Sequence, residues 1–289
     1  MIDRGIILAG GHGTRLSPLT KVTNKQLLPL YDKPLIYYPL SVLMLAGIKK
    51  ILIIVNPYEI NSYKKLLGDG SRLGINITYK EQKKPEGLPQ AFIIGKDFIN
   101  KKGVALILGD NFFYGQGLTL RLKDSLKKNK GSTIFLYPVN NPSQYGVVEL
   151  NNKNKIQKIS EKPKKTKSNL AITGLYLFNH EVINFSQKLR PSKRNELEIT
   201  DLIKIYKKKN SLKVEQIGRG GSWLDTGTTK DLFDASLFVS TIEERQGLKI
   251  ACIEEIALRN KWIDKKSIIK SIKFYGNCDY TNYLKKLIS

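Results

Sequence analysis

The sequence predicts an α/β fold with a mostly parallel central sheet and helices on both faces. Two continuous apolar runs, at residues 51–55 and 104–108, carry this prediction, because strands buried on both faces lack the alternation of half-buried strands. Helix-like segments separate these runs, as in the βαβ units of a parallel sheet. The chain has 289 residues and is 41% apolar, enough for one large core plus an appendage.

The first half of the chain alternates between strand-like and helix-like segments. Strands are predicted at 5–9, 51–55, 75–79, 104–108 and 133–139, and helices at 35–47 and 117–128. Glycine or proline follows several of these segments: Gly10-Gly11 follows the first strand, and Asn56-Pro57 follows the second. These glycine and proline residues indicate where the elements end.

Beyond Pro142 the pattern changes to short strands with short connections. They are predicted at 146–150, 156–160 and 171–178, and they favour a smaller mixed-strand part beside a Rossmann-like sheet. Helices follow at 199–208 and 231–246, and a C-terminal helical appendage ends the chain. We therefore divide the sequence into a core at 1–238 and a C-terminal helical segment at 239–289.

The charge is strongly basic, with 49 Lys and Arg against 25 Asp and Glu, a net +24. A nucleic-acid interface would be clustered, richer in arginine and interleaved with aromatic residues. Here the lysines come as scattered pairs, so we expect no nucleic-acid partner. A diffuse positive field would still attract anionic substrates.

Composition also favours one cellular setting. The chain has only two cysteines, Cys252 and Cys278, which argues against a disulfide framework in so long a chain. No apolar run approaches the roughly 18 residues that a membrane span needs, and the first apolar stretch is short for a signal peptide. We therefore expect a cytoplasmic protein with no membrane partner.

A glycine-rich loop follows the first predicted strand. Gly10, Gly11 and Gly13 would let backbone N–H groups approach an anion, and Arg15 and Lys25 add two cations downstream. The spacing matches neither the dinucleotide fingerprint nor a Walker A loop. An ordinary turn with surface cations is the alternative, and the two cations favour the phosphate site.

Two aspartates lie at sites suited to a metal. Asp110 follows the buried run 104–108, where either a metal ligand or a helix cap is common. Asp225 stands in Trp223-Leu224-Asp225-Thr226-Gly227-Thr228, where a turn residue is the alternative. Because Mg²⁺ is usually held by one or two carboxylates plus phosphate oxygens, the pair would suit it.

Further charged groups suit a second phosphate. Lys162, in Glu161-Lys162-Pro163, and Arg194 could each bind one, although a solvated turn and a basic loop are the alternatives. The only histidines, His12 and His180, pair with no nucleophile motif, which disfavours hydrolase triads and zinc sites. Direct displacement at phosphorus remains, in which a protein mainly positions groups and neutralises charge.

Taken together, an ordered set of motifs resembles the sugar-1-phosphate nucleotidyltransferase family over nearly the whole chain. The motifs are Gly10-Gly11-His12-Gly13-Thr14-Arg15-Leu16, Lys25-Gln26-Leu27-Leu28-Pro29, Gly109-Asp110-Asn111, Tyr145-Gly146-Val147-Val148, Glu161-Lys162-Pro163 and the segment around Asp225. Other segments, such as Glu196-Leu197-Glu198-Ile199-Thr200-Asp201 and Arg245-Gln246-Gly247-Leu248-Lys249, resemble the members that use dTTP and glucose 1-phosphate. Each motif is weak, whereas the ordered set is specific.

The resemblance implies Mg²⁺-dependent formation of dTDP-glucose and pyrophosphate, the entry step to dTDP-rhamnose. It implies catalytic roles for Arg15, Lys25, Lys162, Asp110 and Asp225, the two aspartates being the metal ligands. The implied nucleotide-binding residues are Leu8, Gly10, Gly11, Gly13, Thr14, Arg15, Lys25, Gln26, Gln82, Pro85, Gly87, Leu108 and Asp110. The implied sugar-phosphate residues are Gly146, Glu161, Lys162, Tyr176 and Arg194, in the mixed-strand part.

The resemblance also implies a second, allosteric nucleotide-sugar site for feedback inhibition by dTDP-rhamnose, and a homotetramer that uses the long helix and the C-terminal segment. The matching positions are Tyr114, Gly115, Arg219, Ile250, Ala251, Cys252, Glu255, Ile256 and Arg259. Subunit packing is the alternative for this cluster.

Several positions depart from the family pattern: His12 replaces a smaller residue, Pro89 an alanine and Asn195 a glycine. They bear on specificity more than on the reaction class. The alternatives are an enzyme that uses UTP, CTP or another sugar 1-phosphate, and a non-catalytic regulatory homologue. Retention of the predicted metal and phosphate groups speaks against the second alternative.

Overall fold

The computed structural model describes residues 2–289 and confirms the α/β class. The strands are β1 (Ile2–Ala9), β2 (Pro29–Leu30), β3 (Lys33–Pro34), β4 (Lys50–Val55), β5 (Asn76–Glu81), β6 (Gly103–Leu108), β7 (Asn111–Gly115), β8 (Ser132–Pro138), β9 (Gly146–Leu150), β10 (Ile156–Glu161), β11 (Leu170–Phe178), β12 (Leu212–Gln216) and β13 (Gly221–Asp225). The helices are α1 (Tyr37–Leu45), α2 (Ile60–Leu67), α3 (Gln90–Ile94), α4 (Lys96–Ile99), α5 (Leu118–Lys128), α6 (Val182–Gln187), α7 (Ile199–Lys208), α8 (Thr229–Gln246), α9 (Ile253–Arg259), α10 (Lys265–Tyr275) and α11 (Asp279–Lys286).

A nine-stranded sheet forms the centre of the molecule. Strands β6, β1, β4 and β5 lie side by side and parallel, as the continuous apolar runs predict. Strand β11 pairs antiparallel with β6 and carries β9, β10 and β8 beyond it. The predicted mixed-strand part is therefore continuous with the parallel sheet, because β11 belongs to both.

Helices cover both faces of this sheet. Successive side chains of a strand point to opposite sides, so a single strand contributes to the apolar cluster on each face. Ile7 of β1 belongs to the apolar cluster that packs under α1, α2 and the C-terminal helices. Its neighbour Ile6 belongs to the opposite cluster, with Phe92 of α3 and Tyr206 of α7. Each of these four side chains is fully buried.

Two elements outside the main sheet help to build the site. Strands β7 and β13 form an antiparallel pair, in which Asn111 lies opposite Asp225. The sequence patterns predicted neither strand, because both are short and far apart in the chain. Their pairing brings the segments around Asp110 and Asp225 together.

The C-terminal residues form three helices, of which α9 packs on α1, α10 packs on α9, and α11 packs on α10. Buried Glu254 holds them in place, accepting hydrogen bonds from Tyr275 at 2.7 Å and Tyr280 at 2.6 Å. The predicted boundary at residue 238 falls inside α8, so the division into two units stays a prediction. No helix among residues 2–289 combines the length and the apolarity needed to cross a membrane.

Candidate active site

A cleft of about 380 Å³ opens at the carboxyl ends of the parallel strands, where α/β sheets bind ligands. Fifteen of the residues predicted for the nucleotide, metal and sugar phosphate line it: Leu8, Gly11, Arg15, Gln26, Gln82, Pro85, Gly87, Leu108, Asp110, Gly146, Glu161, Lys162, Tyr176, Arg194 and Asp225. Gly10, Gly13, Thr14 and Lys25 are not among the lining residues. The structure thus gathers residues from both halves of the core.

The glycine loop has a distinct requirement at each glycine. A Cβ on Gly10 would lie 2.2 Å from Gln82 Oε1, so a side chain there would displace the glutamine. Gly13 has φ +60°, a left-handed conformation that favours glycine. Gly11 faces open space, where its backbone is accessible to a ligand. The Arg15 guanidinium lies against Gly227, which follows Asp225 closely in sequence.

Lys25 is positioned by a short 3₁₀ turn over Lys25–Leu27. The Asn24 side chain begins this turn by accepting a hydrogen bond from the Gln26 N–H at 3.0 Å, and Tyr63 donates to the same oxygen at 2.7 Å. Lys25 is buried, and its ammonium lies 2.5 Å from Asp110 Oδ2. The turn therefore holds a cation against the first predicted metal ligand.

The two aspartates have opposite electrostatic environments. Burial alone would raise the pKa of Asp110, but the Lys25 ammonium and the Asn111 amide outweigh it and hold that pKa below its usual value. Burial, followed by the charge of Asp110, raises the pKa of Asp225, and Lys25 and Arg15 only partly offset this. The pair therefore carries one carboxylate in direct contact with an ammonium group and a second that makes no ion pair among the described residues.

These residues fit a divalent cation. Carboxylate oxygens are the ligands that Mg²⁺ prefers, and a dication beside Asp225 would compensate the charge that its burial disfavours. Among the described residues, no group of three or more His, Cys, Asp and Glu side chains could hold a metal. Phosphate oxygens of a nucleotide would complete the coordination shell, as is usual for this ion.

Asn111 links both aspartates to the sheet. Its Nδ2 donates to Asp110 Oδ1 at 2.9 Å, and its Oδ1 accepts from the Gly174 N–H at 3.0 Å and from the Trp223 indole at 2.6 Å. Trp223 precedes Asp225 on β13. Asn111 belongs to the motif Gly109-Asp110-Asn111, but its role could not be predicted from the sequence, because a single polar residue after a buried strand does not reveal its partners.

The same cleft carries the groups predicted for the sugar phosphate. Arg194 makes a two-pronged contact with Glu198, at 3.1 and 2.7 Å, and lies 3.3 Å from Glu161. Burial and the neighbouring Glu198 raise the pKa of Glu161, against the effects of Thr200 and the nearby cations. Lys162 has φ 39°, an unusual backbone conformation, and its N–H donates to the Tyr145 carbonyl at 3.0 Å.

The remaining predicted residues fit this arrangement. Gly146 pairs with Glu161 across β9 and β10, and Tyr176 is a buried wall residue of β11. Asn195 has φ 57°, and asparagine tolerates this conformation better than most residues, which explains how it replaces glycine. Further residues line the cleft without having been predicted for it: Leu88, Asn111, Gln144, Tyr145, Ile172, Gly174, Glu196, Leu197, Glu198, Ile199, Thr200 and Trp223.

The structure brings together only some of the residues predicted for the second, allosteric site. Tyr114 packs on the apolar cluster that contains Ile250 and Ala251, and Gly115 lines a small cavity at the loop that carries exposed Arg219. Helix α9 places Glu255 2.6 Å from Arg259, with Ile256 between them in sequence. The Cys252 thiol is turned inward, and its sulfur lies 3.4 Å from the Tyr280 hydroxyl.

The fold and the cleft define a nucleotidyltransferase, and sequence comparison agrees. Residues 4–242 match the family model described as nucleotidyl transferase. The chain belongs to this family, and the prediction of a nucleotidyltransferase is confirmed.

Within the family, the chain is similar to glucose-1-phosphate thymidylyltransferases. It is 50% identical to that of Neisseria meningitidis over 285 residues, 99% of each chain, and 50% identical to that of Mycolicibacterium smegmatis over the same share. A Bacillus anthracis structure described by the same activity, in complex with a sucrose, superposes with a TM-score of 0.76 at 38% identity, covering 81% of this chain and 94% of that one. A UDP-glucose pyrophosphorylase with bound UDP-glucose gives 0.74 at 26% identity, covering 84% and 100%.

Proposed function

We propose that this enzyme transfers the thymidylyl group of dTTP to α-D-glucose 1-phosphate, giving dTDP-glucose and pyrophosphate. The observation that carries the proposal is the single cleft that joins the glycine loop and both aspartates to Lys162, Arg194 and Glu161. Two relatives that are 50% identical over 99% of each chain are named for this activity. We propose the predicted site residues in the roles that the resemblance implies.

The reaction is an in-line displacement at phosphorus. An oxygen of the sugar phosphate forms a bond to the α-phosphorus of dTTP, and the bond from that phosphorus to the bridging oxygen of the β-phosphate breaks. Pyrophosphate leaves with the electron pair. No general base is needed, because a phosphomonoester is already largely ionised near neutral pH, its second pKa being about 6.

The protein side chains orient two anions and compensate their charge. Arg15, Lys25 and the N–H groups of the glycine loop bind the β- and γ-phosphates, while Lys162 and Arg194 hold the phosphate of the sugar. Asp110 and Asp225 would hold Mg²⁺, which supplies further charge compensation at the reacting phosphates. Positioning the two reactants in one cleft accounts for much of the rate enhancement.

Gln26, Gln82 and Gly87 would face the thymine, and Leu8, Pro85 and Leu108 line the same cleft. Gln26 is buried, and its Oε1 has no hydrogen-bond partner among the described residues, so a bound nucleotide would supply one. An enzyme that uses UTP or CTP is the alternative, supported by the likeness to the UDP-glucose pyrophosphorylase structure.

Pyrophosphate release from glucose 1-phosphate, measured side by side with dTTP, UTP, CTP and ATP, tests the proposal. We expect the highest kcat/KM with dTTP and no release when EDTA removes Mg²⁺. A preference for UTP, or no turnover with glucose 1-phosphate, would contradict the assignment.

We propose two further properties on the same resemblance, a homotetramer and feedback inhibition by dTDP-rhamnose, the product of the pathway that dTDP-glucose enters. Helix α8 exposes Phe233 and Leu237, at 67% and 57%, on one face, which supports association through this helix. Sedimentation would give the oligomeric state, and inhibition that is lost in an Arg219→Ala variant would support the second site. The cytoplasmic location and the lack of a nucleic-acid partner stay predictions.

A further inference from the structure

Three side chains form a hydrogen-bonded chain that leads from the cleft to the surface. Gln82 lines the cleft and is 2% exposed, and its Nε2 donates to Gln90 Oε1 at 2.5 Å. Gln90 Nε2 in turn donates to Glu86 Oε2 at 2.8 Å, and the Glu86 backbone N–H donates to Gln90 Oε1 at 3.2 Å. Gln90 itself does not line the cleft.

The chemistry of the outer end fixes the direction of every hydrogen bond in this chain. An ionised carboxylate only accepts, so Gln90 must point its NH₂ group at Glu86 and its oxygen at Gln82. The Glu86 N–H, which only donates, imposes the same orientation. Gln82 must then present its NH₂ group to Gln90, and this fixes the positions of its Nε2 and Oε1 atoms.

The oxygen end of the Gln82 amide is also confined. Its Oε1 packs so tightly against the glycine loop that a Cβ on Gly10 would lie 2.2 Å away. Turning the amide over would place the Gln82 oxygen against the Gln90 oxygen, where two acceptors face each other in a buried site. The amide is therefore held in one orientation.

We propose that Gln90 and Glu86 are positioning residues that set the pyrimidine preference of the enzyme through Gln82. The inference rests on the proposed function, in which Gln82 faces the base. Thymine and uracil present an N3–H donor beside the O4 acceptor, whereas cytosine presents an N3 acceptor beside an N4 amino donor. An amide fixed in one orientation matches one of these patterns and opposes the other, and a freely turning amide would accept both.

The test compares kcat/KM for dTTP and dCTP in the wild type and in Gln90→Met, which removes the acceptor but keeps the length of the side chain. We expect the dTTP-to-dCTP ratio to fall about tenfold, the scale of one buried hydrogen bond. The change should come mainly from KM for the nucleotide, with KM for glucose 1-phosphate unaltered. Equilibrium titration of both nucleotides without sugar phosphate should give the same ratio.

A double variant, Glu86→Gln with Gln90→Glu, supplies the matched control. The new carboxylate at position 90 would accept from Gln82 and from the backbone N–H at 86, so the orientation is retained, and we expect a ratio within about threefold of the wild type. An unchanged ratio in Gln90→Met, or a double variant as unselective as that single one, would overturn the inference. A wild type that does not use dTTP would overturn the proposed function instead.

Discussion

Replacement of Asn111 by alanine is predicted to destabilise the protein strongly, because this amide is buried and makes three hydrogen bonds at once. The substitution leaves the Gly174 N–H and the Trp223 indole N–H without an acceptor inside the protein. Each buried donor left unpaired costs about 1–3 kcal/mol, so the free energy of unfolding should fall by about 2–6 kcal/mol. Asp110 also loses a donor, so we expect its pKa to rise and Mg²⁺ to bind more weakly.

Asn151→Ala is a matched control. Asn151 Oδ1 also accepts two N–H groups, from Lys153 at 3.0 Å and Lys155 at 2.9 Å, but this turn is exposed and water can replace the lost acceptor. Urea denaturation of both variants should therefore show a loss of at most about 1 kcal/mol for the control. If Asn111→Ala were no less stable than Asn151→Ala, the argument from buried donors would be refuted.

The remaining predictions concern the cleft and the cysteines. Lys162→Ala should lower kcat by about 10²–10³-fold while dTTP titration gives an affinity near that of the wild type, and unchanged turnover would remove this lysine from the reaction. Gly11→Ala should melt at the wild-type temperature, because nothing lies within 4 Å of a Cβ at this position in the free protein. It should bind dTTP at least about tenfold more weakly, because the added methyl group would occupy space proposed for the phosphates. Gly10→Ala, whose Cβ meets the buried Gln82, should lose stability as well. Burial raises the pKa of the Cys252 thiol, so Ellman's reagent should modify only exposed Cys278 in the native protein and both thiols in denaturant; two fast thiols would contradict the packing.

The sequence predicted the parallel sheet well because its strands are buried on both faces and appear as unbroken apolar runs. The predicted strand at 146–150 and the predicted helix at 199–208 have the observed bounds. The predicted helix at 35–47 begins two residues early, because Leu35 and Ile36 are buried in the preceding turn rather than in α1. Apolar periodicity reports burial, and it does not distinguish a helix from the turn that leads into it.

The contacts between distant segments could not be predicted in this way. Periodicity carries no information on which segments pair, so the β7–β13 pairing that brings Asp110 and Asp225 together is visible only in the structure. The burial of a charged side chain is equally difficult to predict from the sequence. Lys33, which would be expected at the surface, is buried against Asp32 and Glu243, and Glu243, which helps to make this burial tolerable, lies 210 residues further along the chain.

The central claim is that Asp110, Asp225 and the glycine loop act on one nucleotide and one divalent ion. A crystal structure with dTTP and Mg²⁺ tests it most directly. We expect a single Mg²⁺ bound by both aspartates and a phosphate oxygen, with the β- and γ-phosphates on the N–H groups of residues 11–15. Phosphates bound elsewhere, or an ion that neither aspartate touches, would contradict it.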